Sequence, residues 1–328
     1  MKIMQFIVVT SLILSLTVSA QSQELKKVRV GIPTLSLIVA SSLIPGERGY
    51  FRQEGLDVEL IVIRSAPSVL ALAAREIDFL TIGGGGLSGI LRGLPLRVAF
   101  APFNRPLYAL YARPEIRSLA ELDGKKLGIS SFGSGPDLLL RDLLKKRIPE
   151  GGKKATILAV GGGVERFIAL KTGVVDAAVL ATPFTVNAKQ DGYRELFSFI
   201  NERDYADIPV ATFTREDLLQ SNPALVERFV RAQVKGLLFM RNSRDRTVSS
   251  LARALRVKED TVSGGFDELR PALTEDGTIS RDEQRKALEY LVNPATPKEA
   301  PRIEKIYDFA IARKVYQELQ ARGWRPTE

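Results

Sequence analysis

Short apolar runs alternate with stretches of helical period through the first two thirds of the chain. Val28-Arg29-Val30-Gly31-Ile32 predicts a strand, and Leu35 to Gly49 a loop and a helix. Leu56-Asp57-Val58-Glu59-Leu60-Ile61-Val62 predicts a second strand. Ser68 to Arg75 predicts a helix after Pro67, with Ser65 as a candidate cap. Phe79 to Ile82 is a third strand, stopped by the run Gly83 to Gly86. Leu87 to Arg92 is a short helix, and Leu96 to Phe100 a fourth strand. Strands separated by helical stretches imply crossover connections and a largely parallel sheet.

The pattern then restarts. Ser118 and Glu121 stand at capping-box spacing on a short helix. Lys126 to Ser130 predicts a strand, Gly135 to Lys146 a helix with Pro136 in its first turn, and Thr156 to Val160 a strand ending at Gly161 to Gly163. Val164 to Thr172 reads as a helix and Ala177 to Leu180 as a strand ending at Thr182-Pro183-Phe184. The two halves share a cassette. Ala71-Leu72 is followed by Asp78 and Phe79, and Ala169-Leu170 by Asp176 and Ala177, so that Asp stands seven residues after Ala in both. That echo suggests two similar α/β lobes. Phe197 to Ile200 and Val210 to Phe213 look like strands leading back to the first lobe. From Asn222 onward the chain reads as mainly helical: a helix from Pro223 with a stripe through Leu225, Phe229, Val230 and Val234, then helices over Leu251 to Val257, Arg281 to Leu291 and Pro301 to Arg322.

The first twenty residues have a different character. Lys2 precedes an apolar stretch, Val18-Ser19-Ala20 offers small residues for cleavage, and a polar segment follows at Gln21. This is a secretory signal pattern over residues 1–20. A lipid anchor needs a cysteine at the cleavage point, and the chain has none. A periplasmic, unanchored protein is therefore expected.

Composition removes much chemistry. The 328 residues contain no cysteine and no histidine. That excludes disulfides, a thiol nucleophile, a Ser-His-Asp triad and the ordinary histidine-zinc site. Lys and Arg number 47 against 38 Asp and Glu, a net charge of +9. The basic clusters Lys145-Lys146-Arg147 and Lys153-Lys154 are short and lack interleaved aromatics. They read as dispersed surface charge, and no nucleic acid partner is expected. The Walker, dinucleotide and Gly-x-Ser-x-Gly patterns all fail, at Lys126 and Lys154, at Leu138 and at Ile90 respectively. Glu202 and Asp204 read as solvated surface.

What remains is a set of loops at the carboxyl ends of strands, where open α/β sheets bind ligands. They are Thr34-Leu35-Ser36, Ser65-Ala66 after Arg64, Gly84-Gly85-Gly86, Phe103-Asn104-Arg105, Phe132-Gly133-Ser134-Gly135, Gly162-Gly163 and Thr182-Pro183-Phe184. Glycine allows close approach of a ligand, and helix starts offer free N–H groups. Arg105 is a candidate partner for an anionic group. The set offers hydroxyls, rings, an amide and arginines, which is binding chemistry. No catalytic residue, metal or cofactor is expected.

Several phrases carry a family resemblance. Gly49-Tyr50-Phe51-Arg52-Gln53-Glu54-Gly55-Leu56-Asp57-Val58-Glu59, then Glu76-Ile77-Asp78-Phe79, then Ile116 to Gly128 resemble, in this order, substrate-binding proteins of ABC transporters for nitrate, sulfonate, taurine and thiamine precursors. The resemblance covers residues 28–235. It implies a two-lobed α/β type II periplasmic binding protein fold with a ligand cleft between hinged lobes. One lobe would comprise residues 25–111 and 212–328, the other 112–211, with hinge segments near Ala112 and Ala211. It implies a monomeric receptor that captures a small organic molecule and delivers it to a membrane ABC permease. Phe103, Phe132 and Phe184 favour an organic ligand, and the helix starts an anionic group on it. The alternatives are a sensory protein of the same fold that signals to a membrane kinase, and a histidine-free exported enzyme. Relatives of this fold that act as enzymes use histidine and cysteine, both missing here.

Overall fold

The computed structural model describes residues 24–63, 65–148, 154–202, 205, 210–289 and 302–326. The expected signal segment, Arg64, Lys153, Asp204 and the end of the helix expected to reach Leu291 lie outside the described residues. The first part of the chain forms β1 (Lys26–Ile32), α1 (Ala40–Glu47), α2 (Tyr50–Gln53), β2 (Leu56–Val62), α3 (Ser65–Ala73), β3 (Phe79–Ile82), α4 (Gly84–Leu91) and β4 (Leu96–Phe100). The middle forms β5 (Ala109–Ala112), β6 (Lys126–Ile129), α5 (Gly135–Arg147), β7 (Thr156–Ala159), α6 (Gly163–Lys171), β8 (Ala177–Leu180), α7 (Phe184–Gln190) and β9 (Arg194–Ser198). The remainder forms β10 (Ala211–Arg215), α8 (Glu216–Ser221), α9 (Pro223–Asn242), α10 (Arg244–Leu255), α11 (Glu259–Leu269), α12 (Arg281–Glu289) and α13 (Ala310–Ala321).

Two five-stranded sheets result, ordered β2-β1-β3-β10-β4 and β7-β6-β8-β5-β9. The second repeats the plan of the first. In each, the first strand of the unit pairs in parallel with its two neighbours. In each, an antiparallel strand fills the fourth place, β10 in one and β5 in the other. The chain passes from the first sheet to the second between β4 and β5, and returns between β9 and β10. Ala112 ends β5 inside the second sheet, paired with Ala177 and Arg194, so the first crossing lies upstream of it.

The repeated Asp has one physical role in both lobes. Asp78 Oδ2 accepts the Arg29 N–H at 2.8 Å, while the Asp78 N–H donates to Arg29 O at 2.8 Å. Asp176 makes the same pair with Lys126, again at 2.8 Å and 2.8 Å. Each clasp fastens one parallel strand, at Arg29 in the middle of β1 and at Lys126 opening β6, to the turn before another strand. Asp78→Ala and Asp176→Ala are each expected to cost about 1 kcal/mol, the usual net worth of such a bond. Paired urea melts check this; a cost at one position only would break the equivalence.

The helical tail packs on the first sheet. Leu225 N–H donates to the Asn222 side chain at 3.1 Å and so caps α9, with Pro223 in its first turn. Phe229 of α9 stacks on Phe79 of β3 at 3.9 Å and on Phe51 of α2 at 5.1 Å. Among the described residues, no helix is long and apolar enough to cross a membrane.

Several elements differ from expectation. Ser65 is the first residue of α3 rather than a cap outside it, and Gly84 to Gly86 form the first turn of α4. α10 starts at Arg244, seven residues before the helix expected from Leu251. Phe199 and Ile200 belong to a 3₁₀ turn after β9, which pairs within the second sheet. The helix expected from Pro301 is interrupted. Tyr307 forms a parallel bridge with Val98, fixed by Val98 N–H to Ile306 O at 2.8 Å and Asp308 N–H to Val98 O at 2.9 Å. The backbone thus extends the edge of the first sheet before α13 begins.

Candidate functional site

The loops after the strands bring the lobes together. Leu138 of α5, in the second lobe, packs in one apolar cluster with Ile82, Leu87 and Ala101 of the first. Ala181, after β8, packs with Leu37 and Phe266. Glu268 of α11 reaches across: its Oε2 accepts Thr182 Oγ1–H at 2.8 Å and Thr185 Oγ1–H at 2.8 Å. Behind this contact lies a cavity of 260 Å³. Small-molecule pockets usually run to about 300–1,000 Å³, so this one suits a compact ligand. Its wall draws on both lobes and both crossings: Ile38 and Glu268 from the first lobe, Thr182, Thr185, Lys189 and Glu195 from the second, and Leu107, Tyr108, Ile200 and Asn201 from the crossings.

The acids in the wall already have partners. Glu195 Oε2 accepts the Tyr111 O–H at 2.8 Å. Burial first, and that carboxylate second, push the Tyr111 phenol well above its ordinary range. Glu268 is held by the two threonines. The wall offers hydrogen bonds and shape.

The residues singled out from sequence divide by place. Thr182 lines the cavity, next to Pro183 and Phe184, the first residue of α7. Ser36 is buried just before the turn whose Ile38 reaches the cavity and makes no capping bond with its side chain, while Leu35 is exposed and Thr34 half-buried. Gly135 opens α5 with the Tyr108 ring 3.9 Å from where a Cβ would stand. Apart from Ser65 and Ala66, whose side chains lie outside the described residues, the other positions in the set are not in its wall.

Most of those have a visible structural task. Phe103 is fully buried and bridged to Leu273, so it is core rather than ligand contact. Asn104 donates to Glu283 Oε1 at 3.0 Å, and Arg105 Nη1 reaches Ile200 O at 3.4 Å, tying one crossing to the other. The Ser134 hydroxyl is committed within its own loop, donating to Ser131 O at 2.6 Å and accepting from Ser130 at 2.7 Å. Gly133 donates to Asp137 at 2.8 Å. Phe132 is 64% exposed, with the Arg141 guanidinium 6.0 Å over its ring. A Cβ on Gly86 would stand 2.6 Å from the Phe213 ring, and one on Gly163 2.5 Å from Phe184. These glycines permit close packing. Gly162 faces Glu165, Gly84 and Gly85 lie in the α4 turn, and Ser65 and Ala66 open α3.

Sequence reasoning missed Tyr108, Thr185, Lys189, Glu195 and Glu268. It also missed Arg166, which is buried at the start of α6. Arg166 precedes the buried pair Ala169-Leu170 by three and four residues, the spacing of one helix face, and that was the available signal.

Residues 39–246 match the family described as NMT1/THI5 like. A protein of Brucella abortus (strain 2308), named only as a binding protein, is 27% identical over 264 residues, covering 77% of this chain and 81% of its own. The alkanesulfonate-binding protein SsuA from Xanthomonas axonopodis pv. citri, solved with MOPS bound, superposes with a TM-score of 0.71 at 18% identity, covering 87% of this chain and 99% of its own. The desulfurization enzyme DszB shares the fold at a TM-score of 0.67 and 16% identity, covering 89% of this chain and 99% of its own. The fold is that of the periplasmic binding proteins.

Proposed function

Because the chain belongs to the NMT1/THI5-like family, we propose that it is an extracytoplasmic solute receptor. It captures a small organic molecule between its lobes and delivers it, as a monomer, to the permease of an ABC importer. The observation that carries this reading is the composition of the cavity wall: two lobes and two crossings contribute to one space. A molecule bound there touches every part that must move for the lobes to separate, so it binds the closed form preferentially. The alkanesulfonate-binding relative supports an organic, anionic solute.

The same fold hosts an enzyme, but this chain has no histidine or cysteine, and the acids in the wall are held by hydroxyls. Binding without turnover is the better account. Native mass spectrometry of the protein from its own host, followed by thermal shifts with alkanesulfonates, aromatic carboxylates and pyrimidines, tests it. A solute at about 100 times its Kd adds about 2.7 kcal/mol and raises the melting temperature by several degrees, saturably. Conversion of the bound molecule to product would make the chain an enzyme, and failure of every solute to bind would end the receptor reading.

A further inference from the structure

Arg166 is only 5% exposed, yet its Nε–H has no hydrogen-bond partner among the described residues. Its Nη1 donates to Gly161 O at a long 3.5 Å. A buried guanidinium normally has its donors matched, because an unmatched one loses hydration without return. Gly161 has φ +110 and turns the chain so that Gly162 and Gly163 lead into α6, a helix of nine residues whose first N–H groups point back toward the loop. Arg166 is not itself in the cavity wall; Tyr108, which acts on it electrostatically, is. Glu165, whose Oε2 lies 2.7 Å from where a Cβ on Gly162 would stand, also acts on the guanidinium, and burial outweighs both, lowering the Arg166 pKa from its ordinary value.

Resting on the receptor reading, we propose that Arg166 and the start of α6 form the subsite for an anionic group, a carboxylate or sulfonate, on the bound solute. Two oxygens of that group take Nε–H and a neighbouring Nη–H in the parallel geometry that arginine offers. Lysine cannot reproduce this fork. The solute's anion thereby supplies the partner that the protein itself leaves out, and solutes without one are rejected.

The test compares the full chain with Arg166→Met and Arg166→Lys. The probes are benzenesulfonate and benzoate against their neutral amides, benzenesulfonamide and benzamide, at constant ionic strength. Expected are anion-dependent thermal shifts in the parent chain, none with the amides, and an affinity loss on the order of 100-fold in Arg166→Met. Without probe, Arg166→Met should melt at or above the parent temperature, since it removes an unmatched buried cation. Arg166→Lys should keep the charge and lose most of the affinity, which covers the case of a poorly folded methionine variant. Equal anion shifts in parent and variants would place the anion elsewhere and overturn the inference, leaving the receptor reading intact. So would binding of the amides as tightly as the anions. A lower melting temperature of Arg166→Met without probe, together with no anion shift in the parent, would make Arg166 a structural cation.

Discussion

Gly277→Ala should lower the melting temperature by roughly 10 °C, corresponding to about 4 kcal/mol. Two causes add. Gly277 sits at φ +80, where a side chain costs about 1–2 kcal/mol. A Cβ there would also lie 2.1 Å from Cε2 and 2.4 Å from Cδ2 of Phe100, a fully buried ring at the end of β4. The ring cannot yield into empty space, and the glycine is pinned because Ala101 N–H donates to Gly277 O at 2.7 Å. Gly93→Ala separates the two causes: it has φ +93 but nothing within 4 Å of its Cβ position. Only the backbone cost, about 1 kcal/mol, should appear there. If calorimetry finds the two variants equally destabilised, the packing half of the argument is wrong.

Gly265→Val should hold the lobes apart while leaving each folded. A Cβ at Gly265 of α11 would stand 2.0 Å from Cγ2 of Thr182 in the other lobe, and 2.8 Å from the end of the Leu37 side chain. Leu37 can turn aside. Thr182 is held by its bond to Glu268, so α11 and the second lobe must separate by more than 1 Å. That separation breaks both 2.8 Å bonds to Glu268, each worth about 1.5–3 kcal/mol as a bond to a charged group. The closed fraction should fall about 100-fold or more, and the apparent solute affinity with it. Small-angle scattering in the presence of solute should show an expanded particle. A variant that still compacts on solute addition would show that this contact does not govern closure.

The first lobe's β1–β4 were legible because their apolar runs are short, bounded by Gly or Pro and separated by helical period. The cassette around Asp78 and Asp176 was legible because the same turn is built twice. β5 was not. Its four residues, Ala109–Ala112, hold the fourth place of the second sheet with partners on both sides, and four buried residues carry no periodicity. α11 carries two poor helix formers, Gly264 and Gly265, which weaken its local signal; the second of them is what lets α11 approach Thr182. At the site, sequence position found the loops but not their allegiance. Phe103 and Asn104 follow a strand as a ligand loop would, yet residues from the tail, Leu273 and Glu283, claim them. Such long-range pairings leave no mark on the local pattern.

The double crossing also sets a timetable for assembly. β5 to β9 form an unbroken stretch of chain, so the second sheet can complete itself as soon as β9 has been made. The first sheet cannot. Its fourth place belongs to β10, and the ring that stacks on Phe79 arrives later still, on α9. Until then β3 and β4 expose the edges that β10 will join. The part of the protein made first is therefore finished last, and the early strands need protection from one another's chains during synthesis.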